Sequence, residues 1–116
     1  MKDQTEGIKA LLAMKHEIDL QALAAAQRAI AAAEAARDAL ADTLKPREGD
    51  DPSAASGNDA AWAGLVVERL AAKDAKIAAL TVQSKAARSA ACLSFGRIDA
   101  FSKLASSPKF RKTLRT

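Results

Sequence analysis

Large apolar residues recur at helical spacing along the first 44 positions and predict one long amphipathic helix. On a helical wheel, eight of them lie within an arc of about 140°. They are Ile8, Leu11, Leu12, Ile18, Leu23, Ile30, Leu40 and Leu44. Asp3 and Glu6 have the spacing of a capping box, and Pro46 disfavours helical geometry at the residue before it. We therefore predict a helix over residues 4–44.

Between residues 22 and 40 this helix is dominated by alanine, which fills eleven of the nineteen positions. Alanine is the best helix former because its side chain loses no entropy on ordering, but its methyl group buries little area. Small side chains also let two helix backbones approach closely. We expect this stretch to form one side of a narrow seam between two helices.

The residues after position 59 repeat every seven positions, which is typical of a coiled coil. One line of the repeat consists of Val66, Lys73, Leu80, Ala87, Ser94 and Phe101. The other consists of Leu70, Ile77, Ser84, Ala91, Ile98 and Ala105. Asn58 or Asp59 supplies an N-cap, and Pro108 ends the helix or starts a further turn. The pattern predicts a second helix over residues 59–105.

The segment between the helices, residues 46–58, reads PREGDDPSAASGN and has the composition of an acidic turn. We predict one all-α domain over residues 1–116, a long two-helix antiparallel coiled-coil hairpin with a basic tail at 106–116. If residues 44 and 59 meet, the numbers of facing residues sum to roughly 103–107. The pairs so predicted are Leu44 with Trp62, Leu40 with Leu65 or Val66, Leu23 with Leu80, Ile8 with Phe95, Asp38 with Arg69 and Glu34 with Lys73.

The net charge of +4 is unevenly distributed along the chain. It amounts to −1 over residues 1–45, −3 over 46–60, +3 over 61–96 and +5 over 97–116. The single cysteine excludes an internal disulfide and fits a reducing compartment. The opening MKDQTEG lacks the apolar run of a secretory signal, and no segment has the roughly 20 apolar residues of a membrane span. We therefore expect a cytoplasmic protein with, at most, peripheral contact with the inner membrane.

Residues suited to catalysis or metal binding do not cluster in the sequence. His16 and Cys92 lack partners at metal-site spacing, and we interpret them as a polar residue at the seam edge and a small buried residue. The acidic cluster Glu48, Asp50 and Asp51 lacks the pattern of a calcium loop. We therefore predict a non-enzymatic chain without a metal or another cofactor.

Two surfaces are candidates for partner binding. Val82, Leu93 and Leu104 repeat every eleven residues and share a helix face away from the predicted seam, although scattered apolar residues are also normal on surfaces. The basic tail contributes Lys109, Phe110, Arg111, Lys112, Leu114 and Arg115. It suits an acidic protein pocket, anionic lipid or phosphate, or it is a frayed soluble end. Nucleic acid is disfavoured because the charges are not interleaved with a series of stacking aromatic residues and the first helix is slightly acidic.

Two long segments resemble the FliJ/YscO family of flagellar and injectisome export proteins. IKALLAMKHEIDLQALAAAQRAIAAAEAARDAL is similar to the first helix of that family. WAGLVVERLAAKDAKIAALTVQSKAARSAACLSFGRIDAFSKL is similar to the second, with Ser102 where an acidic residue is expected. The chain is short for the family, particularly around the turn.

The resemblance implies an antiparallel coiled-coil stalk whose end with both termini enters the pore of an export ATPase ring. That end would comprise residues 1–18 and 92–116, and the face with Val82, Leu93 and Leu104 would contact the export gate or chaperones. Two alternatives stay open from the residues alone. One is a general coiled-coil scaffold that dimerises, and the other is a peripheral helical protein on anionic membranes.

Overall fold

The computed structural model describes residues 2–45 and 57–109, and this part of the chain forms two long helices and no strand. Helix α1 spans Lys2–Asp42 and helix α2 spans Gly57–Ala105. The predicted all-α hairpin is confirmed, with helix bounds within two residues of those expected. The acidic cluster of residues 48–51 and the tail beyond Lys109 lie outside the described residues.

The two helices end in short turns at the places that proline predicts. After α1, the backbone N–H groups of Thr43, Leu44 and Lys45 each donate to the carbonyl three residues earlier, at 3.0–3.2 Å. Such bonds tighten the last turn and satisfy carbonyl groups that the helix leaves unpaired. After α2, Ser107 N–H donates to the Leu104 carbonyl at 3.0 Å, and residues 108–109 are helical again. Pro108 therefore starts a further turn.

The chain divides into two compact units, each built from one segment of either helix. The terminal unit combines Met1–Ala26 with Gln83–Thr116, and the middle unit is Gln27–Val82. In both units the helices pack along a seam. Both predicted heptad lines of α2 form its side of that seam, because all twelve of their residues are buried or half-buried.

The seam side of α1 also follows a heptad repeat, which differs from the predicted arc. One line consists of Thr5, Leu12, Asp19, Ala26, Ala33 and Leu40, and the other of His16, Leu23, Ile30 and Arg37. Of the eight apolar residues in the arc, four are exposed: Ile8, Leu11, Ile18 and Leu44. A coiled-coil seam follows 3.5 residues per turn and is narrow. The arc of about 140° had merged this seam with a second apolar stripe beside it.

The register between the helices is shifted by three to eight residues from the predicted one. The residue numbers sum to 110 for the hydrogen-bonded pair His16 and Ser94 and to 111 for the ion pair Arg37 and Asp74. The prediction assumed a tight connection between residues 44 and 59. In the middle unit, the observed register does not bring Leu44 and Trp62 together, and both side chains are exposed.

The seam contains few large buried side chains. In the described part of the chain, Val66 is the one large side chain that is fully buried. The other buried residues are small or polar: Asp19, Ser84, Ala91 and Ser94. The fully buried positions of the terminal unit are therefore small or polar, and side chains of this size favour a close approach of two helices.

Candidate functional site

A polar cluster occupies the seam of the terminal unit. Nδ1 of His16 and Oγ of Ser94 lie 2.7 Å apart across the two helices. Ser94 Oγ also donates to the Ala91 carbonyl at 3.0 Å. On α1, Lys15 Nζ lies 2.8 Å from Asp19 Oδ1, which closes the cluster toward solvent. One of these contacts, between His16 and Ser94, joins the two helices, and the other two lie within a single helix.

The hydroxyl of Ser94 connects the members of this cluster. Its one proton has three acceptors within reach, the Ala91 carbonyl, the Asp19 carboxylate and an unprotonated Nδ1 of His16, and the direction of the His16–Ser94 bond follows from the imidazole tautomer. The ammonium of Lys15, followed by the Ser94 hydroxyl, holds the pKa of the Asp19 carboxyl below its ordinary value, although burial opposes the shift. Asp19 is therefore an ionised group inside the seam.

His16 and Cys92 lie in different environments, His16 at the seam and Cys92 on the surface. The His16 ring is half-buried and tilted against Phe95, with ring centroids 5.9 Å apart. This arrangement agrees with its interpretation as a polar residue at the seam. Cys92 is exposed, so its interpretation as a buried residue is wrong: the side chain lies outside both heptad lines. Across residues 2–45 and 57–109, no three His, Cys, Asp or Glu side chains are grouped to hold a metal ion.

An ion pair bridges the helices in the middle unit. Arg37 occupies a seam position of α1, and its Nε donates to Asp74 Oδ1 on α2. This contact, with help from Asp38, raises the pKa of the Arg37 guanidinium. Because the pair is partly exposed, it contributes little stability but selects the helix register. The predicted partners Asp38 with Arg69 and Glu34 with Lys73 belong to the other register.

The predicted partner-binding residues of α2 are exposed. Leu93 and Leu104 lie on the surface of the terminal unit, and Val82 lies on the surface of the middle unit. Lys109 is also exposed. The remaining tail residues of the prediction lie outside the described part: Phe110, Arg111, Lys112, Leu114 and Arg115.

Sequence reasoning missed the apolar surface that α1 adds to this region. Ile8, Leu11 and Ile18 are 41%, 67% and 58% exposed. Leu11 and Ile18 each lie one residue before a seam position, which rotates them by about 100° to one side of the helix, and Ile8 lies one turn before Leu11 on the same side. Leu93 and Leu104 have the same relation to the seam of α2, at 57% and 50% exposure. We call this set the apolar flank: Ile8, Leu11, Ile18, Leu93, Ala100 and Leu104.

The signal for the apolar flank was present in the sequence. Positions 8, 11 and 18 have heptad spacing of their own, parallel to the line through Leu12 and Asp19. Two stripes one residue apart merge into one broad arc when the helix is treated as having 3.6 residues per turn. The two stripes can be told apart only when it is known which of them faces α2. The burial of Asp19 and the half-burial of His16 in the structure identify that stripe.

Neither described helix combines the length and hydropathy that a membrane crossing requires. No known protein family, curated protein or solved structure matches this chain.

Proposed function

We propose that the chain is a non-enzymatic coiled-coil stalk or adaptor of a bacterial type III, flagellar-type, protein export apparatus. It would couple the export ATPase ring to the export gate or to chaperones in the cytoplasm, at the inner membrane. The observation that supports this proposal best is the pairing of two uninterrupted helices of 41 and 49 residues along a seam of small and polar residues.

A continuous helix suits a mechanical element because each turn is bonded to the next, so a displacement at one level is carried along the axis. Alanine supports this role, since it stabilises the helix without widening it. Close helix pairs have axes about 8 Å apart, whereas larger side chains separate them to about 10 Å. A seam lined by Ser84, Ala91 and Ser94 favours the lower value.

The end proposed to enter the ATPase pore belongs to the terminal unit, which contains residues 1–18 and 92–116. In its α2 segment, cationic residues outnumber carboxylates: Lys85, Arg88, Arg97, Lys103 and Lys109 accompany Asp99 alone. A positive surface of this kind is attracted to an acidic pore or ring surface. The basic tail beyond Lys109 adds to the same charge in the sequence.

A second candidate function is a coiled-coil scaffold that dimerises. It is favoured by the exposed apolar side chains of both helices, which a self-associating surface would cover. In that case the seam would still form within each chain. A mass measurement in solution separates the two candidates, because a stalk of this kind acts as a single hairpin.

The proposed function is tested with the export ATPase of the source bacterium. We expect the full chain to bind the assembled ATPase and to raise its turnover. Removal of residues 106–116, or Arg97→Glu, should weaken both effects. Arg69→Glu in the middle unit is the matched charge control, because it reverses the same charge on an exposed side chain outside the terminal unit. Absence of both binding and stimulation for the full chain would refute the export assignment.

A further inference from the structure

Two heptad-spaced stripes lie side by side on α1 in the terminal unit. The first is the seam with α2. The second lies one residue earlier and is exposed throughout: Ile8, Leu11, Lys15, Ile18, Ala22 and Ala25. Alternating spacings of three and four are what one helix presents to another in a coiled coil. A helix with two such stripes can pack against two neighbouring helices. Helix α2 covers one stripe, and the other is exposed.

Helix α2 presents a matching stripe on the same side of the terminal unit: Ala86, Ala90, Leu93, Arg97, Ala100 and Leu104. In an antiparallel pair, residues that precede seam positions on both helices face one flank. The observed register places Ile18 beside Leu93 and Ile8 beside Leu104. The groove between the helices is therefore lined by large apolar side chains and alanines, and from residue 8 to residue 25 it is about 26 Å long.

The two charged side chains on the stripes that line this groove, Lys15 and Arg97, are both positive. Lys15 and Arg97 lie on the flank at the same level, and Lys103 borders it. The carboxylates of the terminal unit with described side chains lie in the seam or on the opposite flank: Glu6, Glu17, Asp19 and Asp99. Lys15 is paired with Asp19 and Lys103 with Asp99, whereas Arg97 has no carboxylate partner among the described residues. A ligand with carboxylates would complement this distribution.

We propose that the apolar flank binds an amphipathic helix of another protein, with apolar residues at heptad spacing and carboxylates beside them. A second copy fits less well, because it would bring the Lys15 and Arg97 side chains of two chains together. A lipid surface also fits less well, because the flank has no aromatic residue and its alanines insert little apolar volume. The inference is argued from the surface of the terminal unit, and its test uses peptides alone, so its failure can be told apart from a failure of the export assignment.

The test uses a fluorescent synthetic helix of three heptads, with leucine at the two core positions and glutamate at the flanking positions. A second peptide carries lysine in place of glutamate. We expect the full chain to bind the acidic peptide at least ten times more tightly than the basic one. Leu11→Gln and Ile18→Gln should each weaken binding of the acidic peptide at least tenfold, because both side chains lie on the flank. Leu20→Gln is the control, since it changes an exposed apolar residue of α1 on the opposite flank.

Charge reversal provides a second, independent readout. Arg97→Glu should reduce binding of the acidic peptide and increase binding of the basic one, and circular dichroism should show unchanged helix content. Equal binding of the two peptides, or no binding of either, would overturn the proposal. So would a dimeric mass that Leu11→Gln abolishes, since a second copy would then cover the flank. Flotation with phosphatidylserine vesicles that depends on Leu11 would assign the flank to membranes instead.

Discussion

Replacing Val66 and Val67 by alanine, one at a time, tests how the seam of the middle unit is stabilised. The two valines are adjacent in α2, but Val66 is 0% exposed and Val67 is 57% exposed. Both substitutions remove the same two carbon atoms from the same helix. Any difference between the variants therefore reports burial at the seam.

The expected magnitudes follow from this difference in burial. Two buried carbon groups at about 0.8 kcal/mol each amount to about 1.6 kcal/mol, and the cavity left at Val66 adds up to about 1 kcal/mol. Alanine is the better helix former by about 0.5 kcal/mol, which offsets part of the loss. Val66→Ala should thus lower the free energy of unfolding by about 2 kcal/mol. Val67→Ala should leave it unchanged or raise it by about 0.5 kcal/mol.

Urea denaturation of the full chain, followed by the fluorescence of Trp62, measures the effect. Trp62 lies one turn before Val66 and is the only tryptophan in the sequence. With a slope of about 2 kcal/mol per molar urea, the midpoint of Val66→Ala should fall by about 1 M relative to the original chain. Equal midpoints for the two variants would refute the assignment of Val66 to a packed seam.

Three further predictions concern helix propensity, register and pH. Gly96→Ala should raise the free energy of unfolding by about 0.8 kcal/mol in urea denaturation, because a Cβ there would meet nothing within 4 Å; a lowered midpoint would contradict this. With the native cysteine replaced by alanine, a cysteine pair at Ala33 and Ile77 should form a disulfide in glutathione buffer, whereas the pair at Ala33 and Leu70 should not; the reverse result would restore the predicted register. The pKa of Asp19 is depressed below its ordinary value of 3.8 in the folded chain. The contribution of its carboxylate to the free energy of unfolding is therefore present above pH 3.8 and is lost as the pH falls through the pKa of the folded chain. The urea midpoints of the original chain and Asp19→Asn should therefore converge on acidification, and a constant difference would exclude this role.

The helices and the α2 side of the seam could be predicted because their causes are local. A seven-residue repeat can be recognised even where its members are Lys73, Ser84 or Ser94, because the spacing of the positions, and not the residue type, identifies the seam. Proline likewise fixes the helix ends through backbone geometry rather than through distant contacts.

The register could not be predicted, because a seam of small residues looks similar after a shift of one heptad. Ala26 or Ala33 can face many α2 residues at nearly the same packing energy. The choice depends on specific polar contacts, such as His16 with Ser94 and Arg37 with Asp74. These contacts involve side-chain geometry that no spacing rule contains. The apolar flank remained hidden for the same reason, since it is defined only relative to a known seam.

In most small domains, helices form and pack together in one step, whereas the alanine content of α1 favours helix formation before pairing with α2. Between residues 22 and 40, helix formation is favoured by the backbone itself, whereas pairing with α2 depends on a few side chains. The two helices can therefore come apart while much of their hydrogen bonding persists. Far-ultraviolet circular dichroism alone would report such an opened chain as nearly native. Claims about the folded state of this protein, or of its variants, consequently require a probe of helix pairing as well as a measure of helix content.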